Sequence, residues 1–141
     1  MNMTCRFFYQ LDIVDLCNIP KEVKKRFNNE ILGRFTCLKY LDLNNTKTQI
    51  SQDTLQNMNL FTLKMNSQKL ITDLNHMPNL RILHTDSGLT NEGIISLTNL
   101  VELCIMCYDK ITKIGHLTQL ERLYAELCPE ISNDELNLLT N

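Results

Sequence analysis

The sequence predicts a solenoid of the α/β class, because one short apolar phrase recurs through most of its 141 residues. The phrase consists of leucine, two variable residues, leucine, one variable residue and a third residue that is usually apolar. Its five copies begin 22, 20, 20 and 20 residues apart, at Leu38, Leu60, Leu80, Leu100 and Leu120. A fixed period of this size is typical of repeat architectures, in which each unit buries its apolar side against its neighbours.

Each copy of the phrase predicts one strand of a parallel sheet. In the fourth copy, Leu103 and Ile105 alternate with Glu102, Cys104 and Met106, and this alternation indicates one buried and one exposed face. A polar turn follows each strand, and after it we expect one buried apolar residue per repeat. These residues are Ile50, Leu70, Leu89, Ile111 and Ile131.

The second half of most repeats predicts a single helical or 3₁₀ turn, because two apolar residues there lie three positions apart. The pairs are Leu74 and Met77, Ile94 and Leu97, and Ile114 and Leu117. Pro78 would stop any longer helix after the first pair. The five predicted repeats are therefore short units, at residues 38–59, 60–79, 80–99, 100–119 and 120–141.

Residues 1–37 predict an N-terminal cap that contains a degenerate repeat and a short helix. The strand phrase also fits residues 8–13, which favours a strand there. Residues 20–30 favour a helix that starts at Pro20, with Asn18 as its cap. The apolar stripe of this helix is formed by Val23, Phe27 and Ile31.

The last repeat predicts one final helical turn, which Ser132 or Asn133 would cap. So short a turn cannot direct all the leucines that follow into the core. These leucines are Leu136, Leu138 and Leu139. We therefore expect apolar surface at the C-terminal edge of the sheet, and weak formation of a homodimer through it.

The repeated phrase resembles the leucine-rich repeat family, whose pattern is L-x-x-L-x-L-x-x-N/C-x-L in units of about 20 to 29 residues. Residues 38–141 carry five copies in phase. The chain departs from the family at the asparagine position, where the residues are Thr46, Gln68, Gly88, Tyr108 and Cys128. Since only Cys128 fits, the backbone groups of those bends must be satisfied in another way or hydrated.

The resemblance implies a curved parallel sheet on the concave side of the solenoid, and short helical turns and loops on the convex side. It also implies non-catalytic protein–protein interaction, with a protein partner on the concave face. The turns at 110–112 and 130–132 are similar to those of F-box substrate adaptors, and residues 19–23 resemble the opening of an F-box. A substrate-receptor component of a ubiquitin ligase is therefore the alternative function. The composition, rich in asparagine, lysine and isoleucine, is similar to that of proteins from amoebae and their large DNA viruses.

Equivalent strand positions should form columns across the concave face, because parallel strands in register lie about 4.8 Å apart. The first column is Tyr40, Thr62, Ile82, Glu102 and Arg122; the second is Asp42, Lys64, His84, Cys104 and Tyr124; the third is Asn44, Asn66, Asp86, Met106 and Glu126. The candidate protein-binding residues are Tyr40, Asp42, Lys64, Ile82, His84, Asp86, Glu102, Met106, Arg122, Tyr124 and Glu126. Two pairs of column neighbours have opposite charges and are expected to pair, Asp42 with Lys64 and Glu102 with Arg122. The alternative is that these columns are only the solvated side of the sheet.

Two constellations of cysteine and histidine offer alternatives to binding. Cys104 and His84 are column neighbours, and such a pair could activate a thiolate in a cysteine-dependent enzyme. We expect no enzyme, because the sheet ladder uses the strand N–H groups that an oxyanion hole would need. Cys104-x-x-Cys107 with Cys128 and His116 has zinc-ligand residue types, but the first two would point to opposite faces of a strand.

Charge and composition argue against nucleic acid, membrane and cofactor. The net charge is −2 with both signs interspersed, and no glycine-rich phosphate loop is present. The basic residues Lys21, Lys24, Lys25 and Arg26 are expected to be solvated, with contact to nucleic acid or an acidic partner as the alternative. No apolar run is long enough for a signal peptide or a membrane span. We therefore expect the six cysteines to be reduced thiols of a cytoplasmic or nuclear protein.

Overall fold

A computed structural model describes residues 14–86, 88–106, 110–126 and 128–139. Its centre is one sheet of six parallel strands, in which every strand lies beside the one before it in the chain. The strands are β1 Asp15–Leu16, β2 Tyr40–Asp42, β3 Thr62–Lys64, β4 Ile82–His84, β5 Glu102–Met106 and β6 Arg122–Glu126. Sequential order with parallel pairing means that the chain winds as a solenoid, as the repeat period predicts.

Short turns connect the strands. The described helices are α1 Lys21–Lys24, α2 Asn29–Leu32, α3 Gln52–Leu55 and α4 Asn133–Asn137, together with a 3₁₀ turn at Glu92–Ile94. In the predicted apolar pairs, the N–H groups of Met77, Leu97 and Leu117 each bond at 2.9 Å to the carbonyl three residues earlier. Each pair therefore closes one hydrogen-bonded turn, and among the described residues a 3₁₀ helix is present only beside the second pair, at Glu92–Ile94. No helix in the described part of the chain is both long and apolar enough to traverse a lipid bilayer.

The core is a row of leucines stacked across the sheet. Leu41, Leu63, Leu83 and Leu103 lie side by side in the strand register, and all four are completely buried. Buried residues of the connecting turns, such as Leu55 and Ile94, pack into the same cluster. The described turns and helices therefore cover the leucine face of the sheet and leave the opposite face open.

The buried residue that was predicted for the turn after β3 is wrong by one position. Leu70 is 54% exposed, whereas Ile71 is completely buried. Ile71 stands eleven residues after Leu60, and the buried Ile111 stands eleven residues after Leu100. The strand-to-turn distance is therefore the same in these two repeats, and it selects Ile71.

The strand of the degenerate repeat in the N-terminal cap lies later in the chain than predicted. The predicted strand at residues 8–13 lies outside the described residues. The strand that pairs with β2 is β1, and its Leu16 lies opposite Leu41. Asn18 then stands where the phrase has its third apolar residue, so alternation around β1 is too weak to reveal the strand.

The single helix predicted for residues 20–30 is two helices, α1 and α2. Pro20, not Asn18, stands at the start of α1. Asn28 starts α2, because its side-chain oxygen accepts the Ile31 N–H at 2.8 Å. An asparagine that caps a new helix interrupts the preceding one. The predicted apolar stripe still packs inward, with Phe27 buried and with Val23 and Ile31 half-buried.

Gln68 satisfies the turn at the predicted asparagine position. Its side chain is 1% exposed. Its Oε1 accepts the N–H of Ile50 at 2.7 Å, and its Nε2 donates to Thr46 Oγ1 at 2.8 Å. Thr46 Oγ1 in turn donates to the Leu43 carbonyl at 2.8 Å. The expected departure from an asparagine ladder is confirmed: a glutamine and a threonine bond these backbone groups between two repeats.

On the convex side, amide side chains reach from one repeat to the backbone of the next. The bonds join Ser51 N to Asn29 Oδ1 (2.9 Å), Thr72 N to Gln52 Oε1 (3.0 Å), Ser96 N to Asn75 Oδ1 (2.8 Å) and Thr112 N to Asn91 Oδ1 (2.8 Å). Loop N–H groups would otherwise need water as an acceptor. We call these four side chains the convex amides.

The last described repeat reverses this direction. Glu135 on α4 reaches back, and its Oε2 accepts the N–H groups of Gly115 at 2.7 Å and Ile114 at 2.8 Å. These two hydrogen bonds lower the pKa of the Glu135 carboxyl. Ser132 caps α4 as predicted, with its Oγ accepting the Glu135 N–H at 3.3 Å. The expected apolar surface is also present, since Leu136 and Leu138 are exposed.

Candidate functional site

The predicted columns are present on the open face of the sheet, which we call the concave face. Residues of the first column lie opposite one another from Tyr40 to Arg122, and residues of the second lie opposite one another from Asp42 to Tyr124. In the third, Met106 lies opposite Glu126. The strand phrase returns in phase after 22 residues from β2 to β3 and after 20 residues in each later repeat, and this produces the alignment. All eleven candidate residues therefore lie on one face or at its turn edge.

Apolar and aromatic side chains are exposed at both ends of the concave face. Tyr40 is 38% exposed at the N-terminal end, and Tyr124 is 51% exposed at the other. Met106 is 39% exposed, and Ile82 is half-buried between the ends. Phe61, which the sequence analysis missed, packs edge-on against Tyr40 with ring centroids 6.2 Å apart.

Glu102 forms the centre of an ionic cluster with residues from both neighbouring strands. Its Oε1 lies 2.7 Å from His84 Nε2, and its Oε2 accepts from Arg122 Nε at 2.7 Å. The hydrogen bond with His84, followed by that with Arg122, lowers the pKa of the Glu102 carboxyl. The predicted pairing of Glu102 with Arg122 is confirmed. His84 was placed opposite Cys104, but its reach along the diagonal of the sheet was not foreseen.

A second ionic pair closes the N-terminal end of the face. Lys24 was expected to be solvated, but its side chain is only 5% exposed. Its Nζ donates to the Cys17 carbonyl at 3.1 Å and to the Asp42 carboxylate. The expected pair of Asp42 with Lys64 is therefore wrong, and Lys64 makes no ion pair with a described residue. The local charge pattern does not distinguish Lys24 from Lys21 and Lys25 on this single helical turn.

Cys17 lies beside this pair and is a poor nucleophile. Burial raises the pKa of its thiol to about 11, and the carboxylates of Asp15 and Asp42 contribute in the same direction. The thiol is therefore protonated at neutral pH. No disulfide joins Cys17, Cys37, Cys104 or Cys128 to another described residue.

The third column holds turns together. Asn44 Oδ1 accepts the N–H of Asn66 at 2.9 Å. The Asp86 carboxylate accepts the N–H of Ser67, which has a positive φ of 67°. A residue other than glycine in this conformation needs such local support. Asp86 therefore stabilises this turn, and any contact that it makes with a partner must leave this hydrogen bond in place.

The cysteine–histidine constellations differ in how far the structure describes them. Cys104 lies opposite His84 in the register and is half-buried, while His84 Nε2 is engaged by Glu102. Cys107, part of the zinc alternative, lies outside the described residues. Within the described ranges, no three histidine, cysteine or acidic side chains are grouped so that they could hold a metal ion.

No family model matches this chain, and no curated protein matches it either. The function must therefore be argued from the geometry of the concave face.

Proposed function

We propose that the chain is a leucine-rich repeat protein of the α/β class, and that it binds a protein partner through its concave face. The observation that carries this proposal is the exposure of Tyr40, Met106 and Tyr124 on a sheet face that the turns and helices leave open. Exposed apolar side chains grouped on a rigid surface are typical of interaction sites.

The apolar side chains provide anchors of the right kind. Tyrosine, phenylalanine and methionine are enriched in protein interfaces, because they bury much area and lose few rotamers. Tyr40 with Phe61 forms one anchor. The exposed Met106 on β5 and Tyr124 on β6 form the other, at the opposite end of the sheet. A partner that contacts both anchors must span the sheet from β2 to β6.

The charges on the face favour orientation over affinity. Glu102 is already satisfied by His84 and Arg122, so a partner gains little by pairing with it. Lys64, near the middle of the face, makes no ion pair with a described residue. We infer that the partner presents an acidic group to Lys64, and that this contact affects the association rate more than the affinity.

The experiment begins with capture of the partner from source cells on the immobilised chain, followed by titration with the purified partner. Tyr40→Ala and Ile82→Ala should each weaken binding by about 1 kcal/mol or more. Both residues lie away from β6, so their effects do not depend on the C-terminal edge. Lys64→Ala should reduce the association rate and its dependence on salt.

Leu70→Ala is the matched control, because Leu70 is an exposed apolar residue in the turn after β3 and lies outside the three columns. It should leave affinity unchanged, and circular dichroism should show the same fold for all variants. Wild-type affinity in both Tyr40→Ala and Ile82→Ala would exclude the concave face as the site. A loss of affinity confined to Leu70→Ala would move the site to the convex side.

A further inference from the structure

The last strand of the sheet has an open edge. In the sheet order β6 is terminal, and no strand pairs with its outer side among the described residues. Leu123 and Ala125 on β6 are only half-buried, whereas the equivalent Leu103 and Ile105 on β5 are buried. Within the described part of the chain, the edge therefore has no hydrogen-bonding partner and only a partial apolar cover.

The register shows which backbone groups lie along this edge. In earlier repeats the third apolar residue of the phrase donates its N–H to a carbonyl of the next strand. The Leu43 N–H bonds to the Lys64 carbonyl at 2.7 Å, and the Met65 N–H bonds to the His84 carbonyl at 2.9 Å. Ala125 occupies this position on β6. Because backbone groups alternate in direction along a strand, those of Leu123 and Ala125 point outward, whereas Arg122 donates inward to the Val101 carbonyl at 3.0 Å.

We propose that this edge pairs with the same edge of a second copy of the chain, as an antiparallel β6–β6 contact centred on Tyr124. Leu123 then exchanges two hydrogen bonds with Ala125 of the second copy, and symmetry repeats the exchange. Antiparallel pairing places Tyr124 directly opposite Tyr124 of the second copy. The two residues exchange no backbone hydrogen bonds, and in such pairs the Cα atoms lie closer together. The result is one sheet of twelve strands with a two-fold axis at its centre.

Charge complementarity supports a second copy as the occupant. In this register Arg122 lies directly opposite Glu126 of the other copy, and the reverse pair forms by symmetry. Glu126 makes no ion pair with a described residue. Arg122 uses Nε for Glu102 and has further N–H groups available, one nitrogen lying 3.9 Å from Glu121. Opposite charges at directly facing positions stabilise antiparallel pairs, and like charges destabilise them.

Further apolar surface lies in the repeat that carries this edge. Leu136 and Leu138 are exposed on α4 and just after it, in the repeat that carries β6. A two-fold axis through Tyr124, perpendicular to the sheet, places both copies' convex sides on the same side of the joined sheet. The two open edges then cover each other, so assembly stops at the dimer.

The test is sedimentation of the 141-residue chain from about 10 µM to about 1 mM, a range suited to a small interface. Wild type should dimerise reversibly. Glu126→Arg and Arg122→Glu should each weaken dimerisation by about tenfold or more, since each puts like charges in both facing pairs. An equimolar mixture of the two variants should dimerise nearly as well as wild type, because the mixed pair restores opposite charges.

Two further variants separate register from general effects. Ala125→Pro removes an outward N–H from an edge strand, where proline is tolerated, and should abolish the dimer while the β5–β6 ladder remains. Asp53→Arg makes the same charge change as Glu126→Arg at an exposed site in the first repeat and should have no effect. Circular dichroism checks the fold of each. Wild type that stays monomeric, an open-ended polymer, or a mixture no tighter than its components would overturn the proposal.

Discussion

Truncation of one core leucine tests whether the stack derives its stability from the aligned row. Leu103 is completely buried between Leu83 and Leu123 in the strand register. Leu103→Ala removes about three carbon atoms, which is worth about 2.4 kcal/mol of transfer free energy. A cavity also forms, because both neighbouring strands hold it open, so the total loss should be about 3–5 kcal/mol.

Leu123→Ala is the matched comparison, since it changes the same phrase position in the last described repeat. Leu123 is only half-buried. Part of its side chain is already in contact with water, and a gap at the edge of the stack fills with solvent. We expect this substitution to cost about 1–2 kcal/mol, clearly less than Leu103→Ala.

Urea denaturation followed by circular dichroism measures both variants. For Leu103→Ala the transition should move to lower urea, and it should broaden if the repeats on either side of the cavity uncouple. A loss below about 1 kcal/mol for Leu103→Ala would show that the register is wrong. Equal losses for the two leucines would show that burial does not determine the cost.

Two other predictions concern side chains that bond backbone groups. Gln68→Ala leaves the buried Ile50 N–H without its acceptor and should cost about 1–3 kcal/mol in urea denaturation. Gln49→Ala should cost less, because its bonds to the Ser67 carbonyl and the Lys69 N–H are exposed and water can replace them; equal costs would contradict the role of Gln68. The lowered pKa of Glu135 contributes stability that is fully present above the ordinary carboxyl pKa, about 4.3, and is lost as the pH falls through the lower folded value. Glu135→Gln should therefore flatten the acid-side fall of the unfolding free energy, and an unchanged slope would refute this.

The parts of the fold that follow from repeated spacing were predictable. Leu63, Leu83 and Leu103 share one phrase position, so the period alone aligns them in the register. The columns of the concave face follow from the same alignment. Periodicity did not reveal β1, because the phrase is incomplete there. Leu70 was predicted in place of Ile71 although the spacing seen at Ile111 selects Ile71.

The ionic contacts of the candidate site were harder to predict, because they depend on side-chain reach across the sheet. Glu102 and Arg122 are direct neighbours in one column, and their pair was foreseen. His84 reaches Glu102 along a diagonal, and Lys24 reaches Asp42 from a different element of the fold. Local charge pattern on a short helix does not reveal whether a lysine lies over the sheet.

The convex amides give the stack a direction that matters during synthesis. Asn29, Gln52, Asn75 and Asn91 each hold a loop that comes later in the chain. Because the N-terminus leaves the ribosome first, each acceptor is already in place when its loop emerges, and growth can proceed one repeat at a time. For these four bonds the two ends differ under truncation. Loss of the later repeat leaves an amide side chain in water, whereas loss of the earlier repeat leaves a backbone N–H without its acceptor. The bonds from Ile50 to Gln68 and from Ile114 to Glu135 run in the opposite direction.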